Sequence, residues 1–294
     1  MPRGWPSAAS VCTVCGVPGD APAGNFPDIH SIRAMSPPTS SLAVVTGATA
    51  GLGRVFADRL ARRGHPLLII SRDAERLNAT AHEIAAAHGV PVRVLPGDLS
   101  TDAGIEKAAA LLTAEKNVGV LVNNAGFGTR GPIHEIDVGP QMRMLRLHML
   151  APMRLARAVL PGMIERHAGW IINVASLAGF VYSPGNANYC ASKAYVIGLS
   201  RALDLELFGT GVVVQALCPG YTHTEFHQRA SMDKTRVPGL LWESADVVVD
   251  GSIRAAERGR PVVVVPGWRH KLLYVGAKLA PNWFIRWGAT RRKR

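Results

Sequence analysis

The chain has 294 residues, of which 48% are hydrophobic and 18% charged, so it can build a sizeable packed core and is not globally disordered. No stretch reaches the roughly 18 uncharged apolar residues that a membrane span needs, and four cysteines in a chain this long do not make a disulfide framework. Lys and Arg number 33 against 21 Asp and Glu; this formal charge of +12 leaves open a polyanionic partner, an acidic membrane surface or an arginine-rich proteome.

Residues 1–40 read differently from the rest. They carry Pro2, Pro6, Pro18, Pro22, Pro27, Pro37 and Pro38 and no helical or strand periodicity. By composition this is a disordered leader, or a start assigned too early, since Met35 stands just before the first strand. It lacks the apolar core of a secretory signal. With only Arg3 and Arg33, and with Asp20 and Asp28, it makes a poor transit peptide. Cys12-Thr-Val-Cys15 is a lone pair, and a zinc site needs four ligands, so no metal is expected.

From Leu42 short apolar runs alternate with amphipathic stretches. The runs are Leu42–Thr46, Leu67–Ser71, Val92–Leu95, Val118–Val122, Trp170–Ala175, Val212–Cys218 and Pro261–Val265. They are continuous, as expected of strands covered on both faces. Helices are expected over Arg54–Arg63, Ala74–His88, Ala103–Glu115, Gln141–Arg166 and Ala191–Phe208. This alternation means an α/β fold, a doubly wound parallel sheet of about seven strands. It forms one domain over residues 41–266, with the ligand at the carboxyl ends of the strands.

The first strand runs into Thr46-Gly-Ala-Thr-Ala-Gly-Leu-Gly53. Gly47, Gly51 and Gly53 permit a tight turn, and Thr49, Ala50 and Leu52 complete a loop that offers helix N–H groups to a pyrophosphate. Arg54 and Val55 follow in place of the Lys-Ser/Thr of a nucleoside-triphosphate loop, so the expected ligand is a dinucleotide. The second strand ends in Ser71-Arg72, where a NAD site usually places an acid. Arginine suits a 2′-phosphate, which favours NADP(H) over NAD(H). Asp73 is assigned to capping the next helix.

Tyr189 and Lys193 are one helical turn apart and share a face. A phenol titrates near 10, and a neighbouring ammonium is expected to lower it towards neutrality. Ser176, at the end of the fifth strand, can bond the same substrate oxygen, giving a donor pair aimed at a developing alkoxide.

Taken in order, Thr46–Gly53, Asn123-Asn-Ala-Gly126, Asn173-Val-Ala-Ser176, Tyr189-Cys-Ala-Ser-Lys193 and Pro219-Gly220 resemble the compact single-domain branch of the short-chain dehydrogenase/reductase family. The resemblance covers about Leu42 to Val265. It implies a Rossmann-type fold and hydride transfer between NADP(H) and a carbonyl or secondary alcohol. Tyr189 would exchange the proton, Lys193 would assist it and bind the nicotinamide ribose, and Ser176 would polarise the carbonyl. Asp98 and Leu99 would lie at the adenine. Asn123, Ala125 and Gly126 would line the cofactor beside the fourth strand, and Pro219, Gly220 and Thr224 would hold its nicotinamide end.

His148 departs from the pattern, because the family usually carries Asn there in a water-linked proton relay. Either a relay survives through the backbone carbonyl and His148, or proton delivery is slowed, or the chain is a cofactor-binding regulatory or scaffold relative without turnover.

The segment Tyr221–Leu241 would cover the substrate, and its Phe226, His227, Met232, Leu240 and Leu241 suggest an apolar one. Residues 267–294 form a basic, aromatic C-terminal extension ending Arg291-Arg-Lys-Arg294. It suits a packed helix, an oligomer contact or a peripheral membrane contact, and nothing in it is a nucleic-acid-binding motif. The resemblance implies a homo-oligomer through Gln141–Arg166, where Arg143, Arg146, Arg154 and Arg157 recur at helical spacings. The expected location is cytoplasmic, with the tail allowing association with a membrane.

Overall fold

The computed structural model describes residues 36–224 and 238–279. The Cys12/Cys15 pair, most of the leader, the covering residues Phe226, His227 and Met232, and the tail from Ala280 lie outside the described residues.

Nine strands are present among the described residues. They are β1 (Leu42–Thr46), β2 (Leu67–Ser71), β3 (Val92–Pro96), β4 (Val118–Asn123), β5 (Gly169–Val174), β6 (Val212–Leu217), β7 (Tyr221–Thr222), β8 (Trp242–Glu243) and β9 (Val263–Val264). Seven of them form one parallel sheet in the order β3-β2-β1-β4-β5-β6-β9. This is the doubly wound Rossmann-type sheet expected from the continuous apolar runs. β1, β4 and β6 are buried along their whole length, because helices cover both faces. Ala43 and Val45 face one core with Phe56, Leu60 and Ile253; Leu42 and Val44 face the other with Leu112, Leu155 and Val159. The strand pairs β1–β2 and β1–β4 fix the register, with Val45 opposite both Ile69 and Val122.

The first core is roofed by α1 (Gly51–Arg62), α2 (Ala74–His88) and α7 (Ala245–Glu257). α1 starts at Gly51, earlier than its apolar periodicity suggests, because two glycines occupy its first turn. Asp73 caps α2 by accepting from the Arg76 N–H, as expected. The second core is roofed by α3 (Asp102–Ala114) and by the long segment expected as one helix from Gln141.

That segment is composite. α4 (Val138–Leu145) passes into a π-helical turn (Arg146–Leu150) and then α5 (Ala151–Glu165). Within the π-helical turn the Ala151 N–H bonds the carbonyl of Arg146, five residues back. Pro152 follows and has no N–H to continue an α ladder onto residue 148. Of the four arginines on this segment, Arg146 pairs with Asp102 at 3.0 Å and Arg154 with Glu106 at 2.5 Å, both on α3 of the same chain.

α6 (Ala187–Glu206) begins four residues before the expected Ala191, so Tyr189 lies in its first turn and Lys193 in its second. After β6, the short strands β7 and β8 pair with each other, and α8 (Trp268–Leu279) turns back onto the domain. His270 is fully buried against Gly220 and bonds the Leu241 carbonyl at 2.9 Å, while Tyr274 meets Phe180 edge-on at 4.7 Å. The outer side of α8 leaves Trp268, Leu272 and Val275 exposed. No helix among the described residues is long and apolar enough to cross a membrane.

Candidate active site

The strand order reverses between β1 and β4, and at their carboxyl ends the loops part into a cleft. One end is lined by Thr49, Ala50, Ser71, Arg72, Asp98 and Leu99; the other by Ser176, Tyr189, Lys193, Pro219, Gly220 and Thr224.

At the first end the wall is a glycine turn. Gly47 and Gly51 have φ of 67° and 54°, the left-handed region that side chains disfavour. Gly53 is needed for another reason: a Cβ there would run into the Gly47 carbonyl and the Asn124 side chain. α1 can therefore start directly beneath the turn and present its free N–H groups to the cleft. Asn124 locks the arrangement, its Nδ2 donating to the Thr46 and Gly47 carbonyls at 2.9 and 3.3 Å. Thr46 Oγ1 accepts from the N–H groups of Asn124 and Ala125 at 2.9 and 3.0 Å.

Asn123 is a correction. It was expected to line the cofactor, but it points into the sheet and the cleft is lined by Asn124 instead. Asn123 is 6% exposed, and its Nδ2 donates to Asn173 Oδ1 at 2.8 Å. Asn173 in turn donates to Ser200 Oγ at 3.0 Å, and Ser200 to the Val196 carbonyl at 2.8 Å. This buried polar bracket joins β4, β5 and α6 beneath the site.

Arg72 stands exposed at the cleft edge. Beside it, Thr49 Oγ1 and Ser71 Oγ approach to 3.3 Å. Asp98 lines the cleft and is held by Ser100, whose N–H and hydroxyl donate to Oδ1 at 2.9 and 2.7 Å.

At the other end Ser176 caps a 3₁₀ turn (Leu177–Gly179) by accepting from the Ala178 N–H at 3.1 Å. It also hydrogen-bonds the Tyr189 side chain. Lys193 is buried, and its ammonium donates to the Val174 carbonyl at 2.8 Å. The serine, tyrosine and lysine expected from the motifs therefore meet at one place.

The electrostatics differ from the spacing argument. Burial pushes the Tyr189 phenol up to about 12, opposed by the Ser176 hydrogen bond and reinforced by Cys190. Lys193 does not supply the expected lowering here. Its ammonium is turned to the Val174 carbonyl, 5.8 Å from the tyrosine ring centre. Burial brings Lys193 itself down to about 8. The neighbouring Cys218 thiol is pushed up to about 12 by burial and so stays protonated.

His148 is also corrected. It is 2% exposed in the π-helical turn, and burial followed by the Lys193 charge holds it well below the usual imidazole range. Its Nε2 faces the Phe127 N–H at 3.3 Å and its Nδ1 the Ser192 hydroxyl at 2.9 Å. Both nitrogens have protein partners, so the ring does not hold a relay water. The motifs did not point to Phe127, Ser192 or Ser200 as parts of the site. For Ser192 and Ser200 the signal was small polar residues on α6, which looks like ordinary helix composition, and Phe127 is an apolar residue in the loop after β4.

Residues 41–235 match the family described as short chain dehydrogenase. A very-long-chain 3-oxoacyl-CoA reductase of Anas platyrhynchos is 36% identical over 208 residues, 68% of this chain and 66% of that protein, just under two thirds of its length. An inactive hydroxysteroid dehydrogenase-like protein 1 of Pongo abelii is 30% identical over 250 residues, 84% of this chain and 74% of that protein. Among solved structures, a short-chain dehydrogenase from Sphingobium yanoikuyae in complex with NADPH superposes with a TM-score of 0.73. It is 34% identical, and the match covers 79% of this chain and 92% of that one.

Proposed function

The chain belongs to the short-chain dehydrogenase/reductase family, and from that membership we propose that it is an NADP(H)-dependent oxidoreductase acting on a carbonyl or secondary alcohol of an apolar substrate. The observation that carries this reading is the meeting of Ser176, Tyr189 and Lys193 at one end of a cleft whose other end is the glycine turn.

The residues present fit a dinucleotide. Gly53 leaves no room for a Cβ, the turn directs N–H groups into the cleft, and Arg72 with Thr49 and Ser71 supplies cationic and hydroxyl donors where a 2′-phosphate would lie. The solved relative that carries NADPH supports the phosphorylated coenzyme. The bound nicotinamide would supply or accept the hydride.

The chain supplies the proton and the electrostatics. A phenol near 12 is protonated at neutral pH, so in reduction Tyr189 gives its proton to the developing alkoxide and takes it back in oxidation. Ser176 donates a hydrogen bond to the same oxygen, and the Lys193 ammonium, held by the Val174 carbonyl, would bind the nicotinamide ribose. An apolar substrate is supported by Phe127, Leu147 and Val174 in the cleft lining and by the names of the reductase relatives.

The test is NADPH consumption by the purified protein against a panel of aliphatic, aromatic and steroid ketones. Turnover that disappears in Tyr189→Phe is expected. A second reading, a cofactor-binding relative without turnover, draws on the inactive dehydrogenase-like relatives. It predicts NADPH binding by calorimetry with no consumption of any ketone. The intact serine, tyrosine and lysine favour the enzyme.

A further inference from the structure

His148 is a buried titratable side chain behind the cleft wall, packed against Phe127 and Tyr189, that the mechanism does not use. Its surroundings assign its protons. The Phe127 backbone N–H can only donate, so the Nε2 it faces accepts, and Nδ1 carries the ring proton. Nδ1 then donates to Ser192 Oγ at 2.9 Å, and the Ser192 hydroxyl donates to the backbone carbonyl of Tyr189 at 2.8 Å. Every donor meets an acceptor in this one tautomer.

Two elements press on the ring. Gly126 and Phe127 come from the loop after β4; a Cβ on Gly126 would lie 2.8 Å from Nε2. Tyr189, Ser192 and Lys193 come from α6, with the Tyr189 ring edge-on at 5.8 Å. Burial first, and then the like charge of the Lys193 ammonium, keep the imidazole neutral.

We propose that His148 is a positioning residue for Tyr189: a neutral, single-tautomer bracket that holds the first turn of α6 against the loop after β4. Its bonds end on the Tyr189 backbone carbonyl, so they set where the tyrosine hydroxyl stands in the cleft. The ring passes no proton. The proposal rests on Tyr189 being the proton donor, but the state of the ring can be read without any substrate.

The experiment has two arms. In the first, ¹⁵N-labelled protein is compared with His148→Asn by NMR to assign the ring. The expected signal is a neutral, Nδ1-protonated imidazole that does not titrate from about pH 8 down to about pH 5. An Nε2-protonated ring, or titration in that range, overturns the proposal.

The second arm measures kcat, KM and pH profile with the ketone that the panel shows to be turned over fastest. His148→Phe, which fills the space without polar atoms, is expected to lower kcat about tenfold or more. KM for NADPH should stay within about twofold. His148→Asn, which keeps one donor and one acceptor, should recover part of the loss without moving the pH profile. Ser192→Ala cuts the same chain one bond later and should lower kcat in the same direction; it carries this arm if His148→Phe does not fold. Unchanged kcat in both His148→Phe and Ser192→Ala, or a pH profile shifted by His148→Asn, overturns the bracket. If no ketone is consumed, the enzyme reading fails while the spectroscopic arm still decides the tautomer.

Discussion

At the dinucleotide end of the cleft the wall is backbone: Gly47 and Gly51 in left-handed turns, Gly53 packed under the Gly47 carbonyl, and Asn124 fastened to main-chain oxygens. At the chemical end the wall is side chains: Ser176, Tyr189 and Lys193, supported from behind by His148 and Ser192. The first end works by leaving side chains out, so almost any addition harms it. The second works by holding polar groups in a buried place, so its properties depend on which partner each group faces. Substitutions should therefore separate binding from chemistry.

The sharpest test of that separation is Tyr189→Phe. Turnover should fall by about 10² to 10⁴, while the NADPH dissociation constant from calorimetry stays within about twofold. Equal losses in both would mean that the two ends are not independent. The converse is Gly53→Ala. Its methyl collides with the Gly47 carbonyl, so α1 must retreat. NADPH affinity should fall about tenfold or more, and denaturant titration should show a loss of about 1–3 kcal/mol. Rates at saturating NADPH should change much less.

Arg72→Ala probes the coenzyme within the first end. NADP⁺ affinity should drop about tenfold, as for one lost charge-assisted contact, with NAD⁺ affinity unchanged. Retained preference for NADP⁺ would refute the role given to Arg72.

The remaining tests concern pH. Lys193 is charged below about 8 and neutral above it. The reductive kcat/KM should therefore fall as pH rises through about 8, since the free enzyme then loses its ammonium. A profile flat to about pH 9.5 would contradict the burial of that charge. The smallest effect is on stability. His148 and His65 are both held below their ordinary 6.5 by burial, so below that value the unfolded chain binds more protons than the folded one. Stability from these groups is present above about pH 6.5 and is lost as pH falls below it. Denaturant titrations of His148→Asn should show a shallower decline between about pH 6.5 and 5 than those of the parent.

The two ends were also unequally legible in the sequence. Continuous apolar runs announced the inner strands, because burial on both faces leaves no alternation to misread. The glycine turn was legible because its function is the absence of side chains, and Ser176, Tyr189 and Lys193 because their chemistry demands those residue types. Orientation was not legible. Asn123 and Asn124 are adjacent and identical, and only the strand's pleat decides that Asn123 meets Asn173 while Asn124 faces the cleft. Helical spacing brought Lys193 near Tyr189 but did not reveal that its ammonium turns to Val174. His148 was visible as an anomaly, yet its state follows from two partners distant in the chain, Phe127 and Ser192.

The π-helical turn at Arg146–Leu150 has a consequence for how this chain tolerates changes of length. A helical side chain advances about 100° per residue, and the wide turn lets α4 and α5 run slightly out of phase. Deleting one residue there would rotate one part by about 100° against the other. Either Gln141 and Met144 or Leu155, Val159 and Met163 would then swing out of the core. Gaps between this protein and its relatives should avoid the five residues of the turn, whatever substitutions occur among them.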